Sequence, residues 1–380
     1  MIYFDNAATT FKKPLCVKLG VLKALCNYSA NPGRSGHRHS LKAARQIFKT
    51  RLTIKNLFNC ESESNVIFTQ NCTDALNLAI LGSARDGGHV ITSCFEHNSV
   101  LRPLNYLKSI GKITLSIVQP SNGFNITLDD IKNAYQDNTY LVCLTHISNV
   151  TGNRNDIEGV GRFCKEHNLV FLVDAAQSCG HVDIDLQKSN INLLAFAGHK
   201  GLFAPSSIGG LCINKTNINP IRFGGTGTNS VQLTQPDSLP ERLEAGTLST
   251  PLIMGLLYGT KFVIRNFDRH KKKVAYLTKY LIDNLTKINA TIYTQQNSKY
   301  GVVCFNLKNV DSIEASGVLD EKYNIAVRGG LHCAPLCHKF LGTIITGAIR
   351  VSLNHYNSKR QIDKLIKALT DISQGLWVNY

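Results

Sequence analysis

The sequence predicts an α/β fold with a mostly parallel sheet, because short strand-like runs alternate with helix-like stretches between about residues 40 and 215. The apolar run Phe171-Leu172-Val173 ends in Asp174, which is typical of a buried parallel strand that carries a carboxylate at its C-terminal end. The later turn Gly198-His199-Lys200 can bring an amine to the same crevice. Ligands of such sheets bind outside the C-terminal ends of the strands, so we expect a functional site there.

The individual elements follow from hydrophobic periodicity. The predicted strands cover residues 66–68, 90–92, 113–118, 141–144, 169–173 and 211–213. The predicted helices between them cover residues 40–58, 73–81, 98–110 and 156–167. The later part of the chain is predicted to be helical over 251–287, strand-like over 302–307 and amphipathic helical over 358–372.

The length of 380 residues exceeds the size of a usual single core, so the sequence predicts two domains. Residues 15–250 form the predicted large domain, and residues 251–380 form a smaller C-terminal domain of mixed α and β structure. The N-terminal segment 1–14 is expected to pack near the smaller domain.

Composition describes a globular protein of enzyme size, with 43% hydrophobic and 18% charged residues. No apolar run reaches the roughly 18 residues of a membrane span, so no membrane association is expected. The twelve cysteines are scattered along the chain, and the first residues lack a signal-peptide pattern. Reduced thiols and a cytoplasmic location are therefore expected.

The formal net charge of +16 raises the question of a nucleic-acid partner. The basic residues are dispersed and no nucleic-acid-binding module is recognisable, so we expect no such partner. One cluster stands out, Arg269-His270-Lys271-Lys272-Lys273. Its most economical interpretation is a solvated helix face, and the alternative is a docking site for an acidic protein.

Asp174 and Lys200 together suggest a cofactor. A carboxylate that keeps a pyridine nitrogen protonated and a lysine that forms an imine are what pyridoxal 5′-phosphate (PLP) requires of a protein. Thr73 follows the strand at 66–68 and begins a helix, where backbone N–H groups and the helix dipole favour a phosphate. The alternatives are that Asp174 ends a strand, Lys200 lies on the surface and Thr73 only caps its helix.

Two more side chains sit where a site is expected. His97 follows the strand at 90–92 and can stack on an aromatic cofactor or carry protons, although a lone histidine is often structural. Arg350 lies in an apolar, strand-like context. Its guanidinium suits a substrate carboxylate, and the alternative is an internal salt bridge.

Cys333 lies in the block Arg328-Gly329-Gly330-Leu331-His332-Cys333-Ala334-Pro335, whose glycines suggest a tight loop that presents a thiol. An exposed thiolate there would be nucleophilic, whereas a buried cysteine would be inert. Together with His332, Cys337 and His338 it could form half of a zinc site. No second pair of ligands has suitable spacing, so no metal is expected.

These blocks resemble the class V aminotransferase fold, in the branch of the cysteine desulfurases and selenocysteine lyases. The resemblance runs from the block that begins at Tyr3 to Arg350-Val351-Ser352, which is nearly the whole chain. The blocks that carry it, besides those around Asp174, Lys200 and Cys333, are Phe4-Asp5-Asn6-Ala7-Ala8-Thr9-Thr10, Asn31-Pro32-Gly33-Arg34-Ser35-Gly36-His37, Glu96-His97-Asn98-Ser99, His146-Ile147-Ser148-Asn149-Val150-Thr151-Gly152 and Glu244-Ala245-Gly246-Thr247. The cysteine block resembles the short loop of the group II (SufS-like) enzymes.

The resemblance implies fold type I of the PLP-dependent transferases, with a mostly parallel seven-stranded sheet in the large domain. It implies a homodimer that converts L-cysteine to L-alanine and passes persulfide sulfur from Cys333 to a thiol or an acceptor protein. This sulfur serves purposes such as iron–sulfur cluster assembly. The alternatives are a selenocysteine lyase, an aminotransferase, epimerase or lyase that needs no thiol, and a cofactor-free scaffold that binds a sulfur-trafficking protein.

The resemblance also assigns roles by position. Lys200 would hold the cofactor covalently and act as the catalytic base. The remaining cofactor-binding positions are Asp174 at the ring nitrogen, Gln177 at the phenolic oxygen, His97 stacked on the ring, Asn149 beside the ring, Thr73 and His199 at the phosphate, and Thr226 and Thr228 from the partner subunit.

The substrate carboxylate would be bound by Asn149 and Arg350, with Asn6 and Ala7 lining the pocket. Catalysis would involve Lys200, His97 and the nucleophile Cys333. Two positions depart from the family pattern. Ala197 stands where a phosphate-binding serine or threonine is common, so one phosphate hydrogen bond is either missing or supplied by water. Gly330-Leu331-His332 replaces a common Gly-His-His, which bears on the choice between cysteine and selenocysteine.

Overall fold

The computed structural model describes residues 1–33, 36–228 and 230–376. Arg34 and Ser35, which belong to one of the blocks quoted above, lie outside the described residues. Asn229, which follows Thr228, lies outside them as well.

The largest sheet has seven strands within the described part of the chain, in the spatial order β2, β8, β7, β6, β5, β3, β4. Counting from β1 (Ile2–Tyr3), these strands are β2 (Val66–Thr69), β3 (Gly88–Ser93), β4 (Ile113–Val118), β5 (Thr139–Thr145), β6 (Val170–Asp174), β7 (Leu193–Ala197) and β8 (Gly209–Ile213). Only the contacts of β8 with β2 and β7 are antiparallel. The predicted mostly parallel, seven-stranded sheet is confirmed.

Helices connect these strands and cover both faces of the sheet. They are α1 (Leu15–Asn27), α2 (Arg38–Phe58), α3 (Cys72–Gly82), α4 (Asn98–Ser109), α5 (Leu128–Ala134) and α6 (Ile157–Glu166). The predicted helices correspond to α2, α3, α4 and α6 with shifts of a few residues at their ends. Apolar side chains on each face form separate buried clusters, as expected for a sheet sandwiched between helices.

The C-terminal part is built around a small antiparallel sheet. Its elements are α7 (Thr250–Lys287), β9 (Thr291–Ile292), β10 (Val302–Asn306), α8 (Ser312–Tyr323), β11 (Ile325–Ala326), α9 (Pro335–Phe340), β12 (Ile349–Ser352) and α10 (Lys359–Ser373). In the described residues, β10 lies between β9 and β12. The strand β1 pairs in parallel with β11, and Phe4 is buried in the apolar cluster of this part.

The proposed domain boundary at residue 250 falls at the start of α7. Ile253, Leu256 and Val263 on this helix belong to the cluster that covers one face of the large sheet. Leu277 and Leu281, further along, belong to the cluster of the C-terminal part. A single helix of 38 residues therefore contributes to both cores, and the division at 250 stays a prediction.

The topology places the C-terminal ends of neighbouring parallel strands at one edge of the sheet. Asp174 ends β6, Ala197 ends β7 and Thr145 ends β5. Helices α3 and α4 begin just beyond β2 and β3. No helix in the described ranges is both long enough and apolar enough to cross a membrane.

Candidate active site

A cavity opens at the C-terminal ends of the central strands. Seven side chains that the sequence predicts for the site line it together: Thr73, His97, Asn149, Asp174, Gln177, His199 and Lys200. Cys72, Ser99 and Ala197 line it too. The structure thus gathers residues from five connections of the sheet around one crevice.

Asp174 is held at the base of this cavity. Its Oδ1 atom accepts a hydrogen bond of 2.8 Å from the backbone N–H of Ala176 and lies 3.6 Å from the thiol of Cys72. Burial raises the pKa of Asp174, while the Ala176 N–H, the Lys200 ammonium and the Cys72 thiol act in the opposite direction. Within the described residues, Oδ2 accepts no hydrogen bond, so this oxygen can receive a donor from a ligand.

Lys200 follows β7 in a tight turn and reaches the same cavity. Burial lowers the pKa of its amine, and the nearby charges of Arg350 and Arg328 lower it further, whereas Cys72 and Asp174 raise it. A lowered pKa increases the neutral fraction of an amine, which is the nucleophilic form.

His97 caps α4, and its Nδ1 atom accepts the backbone N–H of Ser99 at 3.0 Å. Because that N–H must donate, Nδ1 is the unprotonated nitrogen and the ring proton is on Nε2. Burial, followed by the charges of Lys200 and nearby arginines, lowers the pKa of His97 to about 4. The imidazole is therefore neutral near pH 7.

Thr73 and His199 line the same cavity. Thr73 is the second residue of α3, and its exposed side chain hydrogen-bonds to the Ser99 hydroxyl at 2.7 Å. His199 Nδ1 lies 3.0 Å from Thr9 Oγ1, and burial lowers the pKa of His199 to about 4. A helix N-terminus with a hydroxyl and a neutral imidazole suits an anion such as a phosphate.

Gln177 and Ala7 contact each other directly. Gln177 Nε2 donates to the carbonyl of Ala7 at 3.0 Å, which leaves one Nε2 proton for a ligand. Asn6 makes its side-chain hydrogen bonds to the C-terminal part, at 2.8 Å to the Ser352 carbonyl and 2.7 Å from Asn354 Nδ2. These contacts fix the N-terminal strand beside the cavity.

The loop that carries Cys333, called the cysteine loop below, is hydrogen-bonded at two points to the segments that surround the cavity. Asn149 Nδ2 donates to the His332 carbonyl at 2.8 Å, and the Asn98 backbone N–H donates to the Cys333 carbonyl at 2.7 Å. His332 and Cys333 have φ values of +52° and +58°, a conformation that non-glycine residues adopt only when neighbouring contacts hold them.

Cys333 itself is half-buried, and its Sγ atom lies 3.7 Å from Nη2 of Arg328. In the same loop, His332 Nδ1 lies 3.2 Å from His338 Nε2. His338 Nδ1 in turn lies 2.8 Å from Thr343 Oγ1. The two histidines are thus engaged with each other and with the protein.

Arg350 is 1% exposed and lies on β12. Its Nη2 atom is 2.6 Å from Asp5 Oδ1, and its Nη1 atom donates to the Asn149 carbonyl at 3.1 Å. Its Nε–H has no partner among the described residues. The internal salt bridge considered from the sequence is present, and the guanidinium still has donors left for a second carboxylate.

Thr226 and Thr228 lie away from this cavity in the single chain. Thr226 is half-buried and Thr228 is exposed, and their hydroxyls are 3.3 Å apart. Thr226 instead lines a separate cavity with Arg51 and Glu244. The prediction that these threonines act from a partner subunit stays a prediction.

Sequence reasoning gave no role to four residues that the structure places at the site: Cys72, Ser99, Asp5 and Arg328. Ser99 stood inside a recognised block and Cys72 directly before Thr73, but nothing in their spacing showed which side chain they would meet. Asp5 and Arg350 are separated by most of the chain, so only the fold brings them together.

Comparison with known proteins identifies the family. The family model for the class-V aminotransferases matches residues 2–365. The chain belongs to the class-V aminotransferase family. A relative from Pyrococcus abyssi, named as a probable cysteine desulfurase, is 32% identical over 391 aligned positions, which cover 99% of this chain and 95% of that protein.

Solved structures agree with this family membership. The apo structure of a cysteine desulfurase from Thermococcus onnurineus superposes with a TM-score of 0.92 at 30% identity, covering 98% of this chain and 95% of the other. The cysteine desulfurase CsdA (S-sulfonic acid) from Escherichia coli gives a TM-score of 0.87 at 25% identity, covering 98% and 94% of the two chains. The predicted fold type is confirmed.

Class-V aminotransferases of this kind depend on PLP, and the cavity of this family member fits that cofactor. Asp174, whose Oδ2 accepts no hydrogen bond from the described residues, lines the same cavity as Lys200. Thr73 and Ser99, each the second residue of a helix, line it as well. These are the groups that a pyridine nitrogen, an aldehyde and a phosphate require.

Proposed function

We propose that this protein is a cysteine desulfurase, which converts L-cysteine to L-alanine and keeps the sulfur as a persulfide on Cys333. The observation that carries the proposal is the double attachment of the cysteine loop to the lysine cavity, through Asn98 and through Asn149. A thiol fixed beside a cavity of this composition supports sulfur chemistry over reactions that need no thiol. The names of the similar proteins support the same activity.

The overall reaction balances without an external oxidant. The Cys333 thiolate attacks the sulfur of the substrate, the carbon–sulfur bond of the substrate breaks, and the former Cβ gains a proton to become the methyl group of alanine. Cys333 is left with one additional sulfur atom. A second thiol then takes that sulfur and regenerates the Cys333 thiol.

The bound cofactor supplies an electron sink for the Cα carbon, and the protein residues control its surroundings. Asp174 would bind the ring nitrogen and keep it protonated, with Oδ2 as the available oxygen. Gln177 would offer its remaining Nε2 proton to the phenolic oxygen. Lys200, whose pKa is lowered by burial, would hold the cofactor and serve as the base for the Cα proton.

The neutral ring of His97 suits stacking on the cofactor and leaves its Nε2 proton available to the reacting atoms. Arg350 and Asn149 bind the substrate carboxylate. Arg350 has one further proton on each Nη atom beyond those used by Asp5 and the Asn149 carbonyl, and Asn149 has the second proton of its amide. Thr73 and His199 bind the phosphate. Ala7 and Asn6 line the substrate side.

A homodimer fits two further features. Leu15, Leu19, Leu22 and Leu25 on α1 are each at least 55% exposed, which forms an apolar stripe of the kind found at subunit interfaces. The phosphate end of the cavity is open at the exposed Thr73 side chain. We propose that the Thr226 and Thr228 loop of the partner subunit closes that end.

Selenocysteine is the second candidate substrate, because the Gly330-Leu331-His332 block departs from the common sequence. The group II subtype and the cytoplasmic location are further parts of the proposal. The sulfur acceptor is either a small thiol or a protein that reaches the half-buried Cys333.

The test begins with the absorption spectrum of the purified holoenzyme. A band at about 410–430 nm, typical of lysine-bound PLP, together with equal amounts of alanine and sulfide after addition of L-cysteine and a thiol reductant, would support the proposal. The band without these products would support the binding of PLP and contradict the desulfurase activity. Parallel assays with L-selenocysteine compare the two substrates through kcat/KM.

A further inference from the structure

Three buried side chains, His332, His338 and Thr343, form a run of hydrogen bonds that begins in the cysteine loop, and we call them the histidine chain. His332 Nδ1 lies 3.2 Å from His338 Nε2, and His338 Nδ1 lies 2.8 Å from Thr343 Oγ1. Each of the three residues is 3% exposed or less. His338 lies on α9, and Thr343 follows that helix. The reaction proposed above gives these groups no role.

The directions of these hydrogen bonds follow from the acceptor at one end. His332 Nε2 lies 3.1 Å from the Arg328 carbonyl, which can only accept, so Nε2 carries a proton. Burial lowers the pKa of both imidazoles, that of His338 to about 4, so each ring has a single proton near pH 7. His332 Nδ1 must then accept from His338 Nε2, and His338 Nδ1 must accept the Thr343 hydroxyl proton. The chain therefore donates in one direction, from Thr343 to the Arg328 carbonyl.

The histidine chain ends at a peptide group that is close to both the thiol and Arg350. The Arg328 carbonyl also accepts the backbone N–H of Arg350 at 2.8 Å, and Nη2 of Arg328 lies 3.7 Å from Cys333 Sγ. At the other end, the Thr343 N–H donates to the His338 carbonyl at 2.8 Å, which fixes Thr343 against α9. The chain thus connects α9 to the residues around the thiol.

The cysteine loop needs support because His332 and Cys333 both have positive φ values. Their carbonyls accept hydrogen bonds from Asn149 and Asn98, which hold the peptide groups. The histidine chain holds the side chain of His332 at both ring nitrogens. A relaxation of the His332 backbone would turn its Cβ and break these two bonds. The ring contacts therefore favour the backbone conformation that sets the position of Cys333 Sγ.

We propose that His338 is a positioning residue for the transfer of the substrate sulfur to Cys333. It acts through His332, and Thr343 selects the tautomer of His338 that donates from Nε2. His338 is not among the described residues that line the cavity. The inference rests on the proposed desulfurase activity and deepens it, since it names the residues that hold the nucleophile in place.

The experiment compares variants of the PLP-loaded protein. His338→Leu removes both hydrogen bonds at similar volume, whereas His338→Gln keeps an N–H donor near the position of Nε2. Thr343→Val and Thr343→Ser test the end of the chain in the same way. The matched control is His89→Leu. His89 is fully buried, its Nδ1 lies 2.8 Å from Thr139 Oγ1, and it lies near the start of β3, at the opposite edge of the sheet from the cavity.

Three quantities are measured: the rate of alanine formation in a single turnover, the KM for L-cysteine, and the hydrogen–deuterium exchange of residues 328–334. The exchange of the loop amides reports local opening and does not depend on activity. Thermal unfolding and the absorption band of bound PLP check that each variant is folded and loaded.

We expect His338→Leu to slow the single turnover by about tenfold or more, because the thiol is less well placed, and to change KM by less than about twofold. Its loop amides should exchange about tenfold faster. His338→Gln and Thr343→Ser should stay within about threefold of the wild-type rate, and Thr343→Val should lie between these variants and His338→Leu. His89→Leu should lower the thermal stability and leave the single-turnover rate and the loop exchange unchanged.

A wild-type rate in folded His338→Leu would overturn the proposal, and so would equal losses in His338→Leu and His338→Gln. A turnover slowed to the same extent in His89→Leu would contradict it as well, because destabilisation alone would then lower the rate. If His338→Leu does not fold, Thr343→Val decides the question, and a wild-type rate with wild-type loop exchange in that variant would overturn the proposal. A PLP-loaded wild type that forms no alanine would instead contradict the proposed function, and the exchange data would still show whether His338 holds the loop.

Discussion

The thiol of Cys72 lies 3.6 Å from Oδ1 of Asp174, and both groups are buried at the base of the cavity. Burial and the negative charge of Asp174 raise the pKa of Cys72 well above its ordinary value, so the sulfur remains protonated and donates to the carboxylate. The contact uses Oδ1, and the S–H donor favours the charged form of Asp174.

Cys72→Ala should therefore change the pH dependence of cofactor binding. Loss of the S–H donor raises the pKa of Asp174 further, so the decline in PLP affinity at acidic pH should begin at a higher pH than in the wild type. Cys72→Ser keeps a donor and should restore the wild-type profile. The measurement is the Kd for PLP as a function of pH.

The control for that experiment is Cys164→Ala, because Cys164 is equally buried and lies on α6, away from the cavity. A parallel shift of the profile in Cys164→Ala, or an unshifted profile in Cys72→Ala, would contradict the role given to the Cys72 thiol.

Cys333→Ala should retain the absorption band of bound PLP and lose the production of alanine and sulfide from L-cysteine, by about a hundredfold or more. The reason is that the loop backbone and the cavity remain while the sulfur-accepting atom is removed. Cys26→Ala, which removes an exposed thiol elsewhere, should be as active as the wild type. Continued desulfuration by Cys333→Ala would refute the proposed nucleophile.

Glu96 should make the stability of the protein depend on pH. The side chain is fully buried, its Oε1 accepts from Ser93 Oγ at 2.6 Å and from the Thr145 N–H at 2.9 Å, and burial raises its pKa to about 8. The folded state therefore favours the neutral acid. The stabilisation is complete below the ordinary glutamate pKa of about 4.3 and is lost as the pH rises through 8.

Glu96→Gln removes this titration and keeps an acceptor for both donors. At pH 5 its free energy of unfolding should be close to that of the wild type, and at pH 8 the variant should be more stable by about 2–4 kcal/mol. Urea unfolding of the cofactor-free protein at several pH values measures the difference. Glu166→Gln, at an exposed site, serves as control, and matching curves for wild type and Glu96→Gln would disprove the prediction.

The ion pair between Asp5 and Arg350 should be important for stability, because the arginine side chain is 1% exposed and the aspartate side chain only 20%. Asp5→Ala leaves the buried guanidinium without a counter-charge, so we expect a loss of about 3 kcal/mol in the free energy of unfolding. Asp86→Ala removes an exposed partner, 87% accessible, from a pair with Lys112 and should cost less than about 1 kcal/mol. Equal losses in the free energy of unfolding of the two variants, measured by urea unfolding, would contradict the predicted importance of the buried pair.

The apolar stripe on α1 should mediate dimer formation. Replacing Leu19 and Leu22 together by lysine introduces charge at two exposed positions, so sedimentation equilibrium should show a shift from dimer to monomer. The same double variant should bind PLP more weakly if the Thr226 loop acts across the interface. Ile313→Lys, at an exposed position on α8, should remain dimeric. A monomeric wild type at micromolar concentration would contradict the interface.

The main features of the fold could be predicted because they depend on local patterns. The alternation of apolar runs with amphipathic stretches located six strands of the large sheet and the long helix α7. The strand β7 was not among the predicted runs, because Leu-Leu-Ala-Phe-Ala is a short, fully apolar segment without alternation. Periodicity alone cannot distinguish such a buried strand from a buried helical turn.

Some residues of the site could also be predicted from local patterns, and others could not. Asp174, His97 and Thr73 could be placed from the sequence, since each follows a predicted strand and parallel strands end at a common edge. Lys200 was placed from the turn Gly198-His199-Lys200 alone. Residue types at strand ends, together with the order of the blocks, are sufficient to suggest the cofactor and the nucleophile Cys333.

Only the tertiary structure decided which of these groups touch. The spatial order of the strands brings α3 and α4 together, so that Ser99 meets Thr73 and Cys72 meets Asp174. Pairing of β1 with β11 brings Asp5 to Arg350 across nearly the whole length of the chain. The sequence determines the chemical groups and the local elements, because these depend on neighbouring residues. Contacts between distant residues depend on how the complete sheet and its helices pack, and that packing is a property of the whole chain.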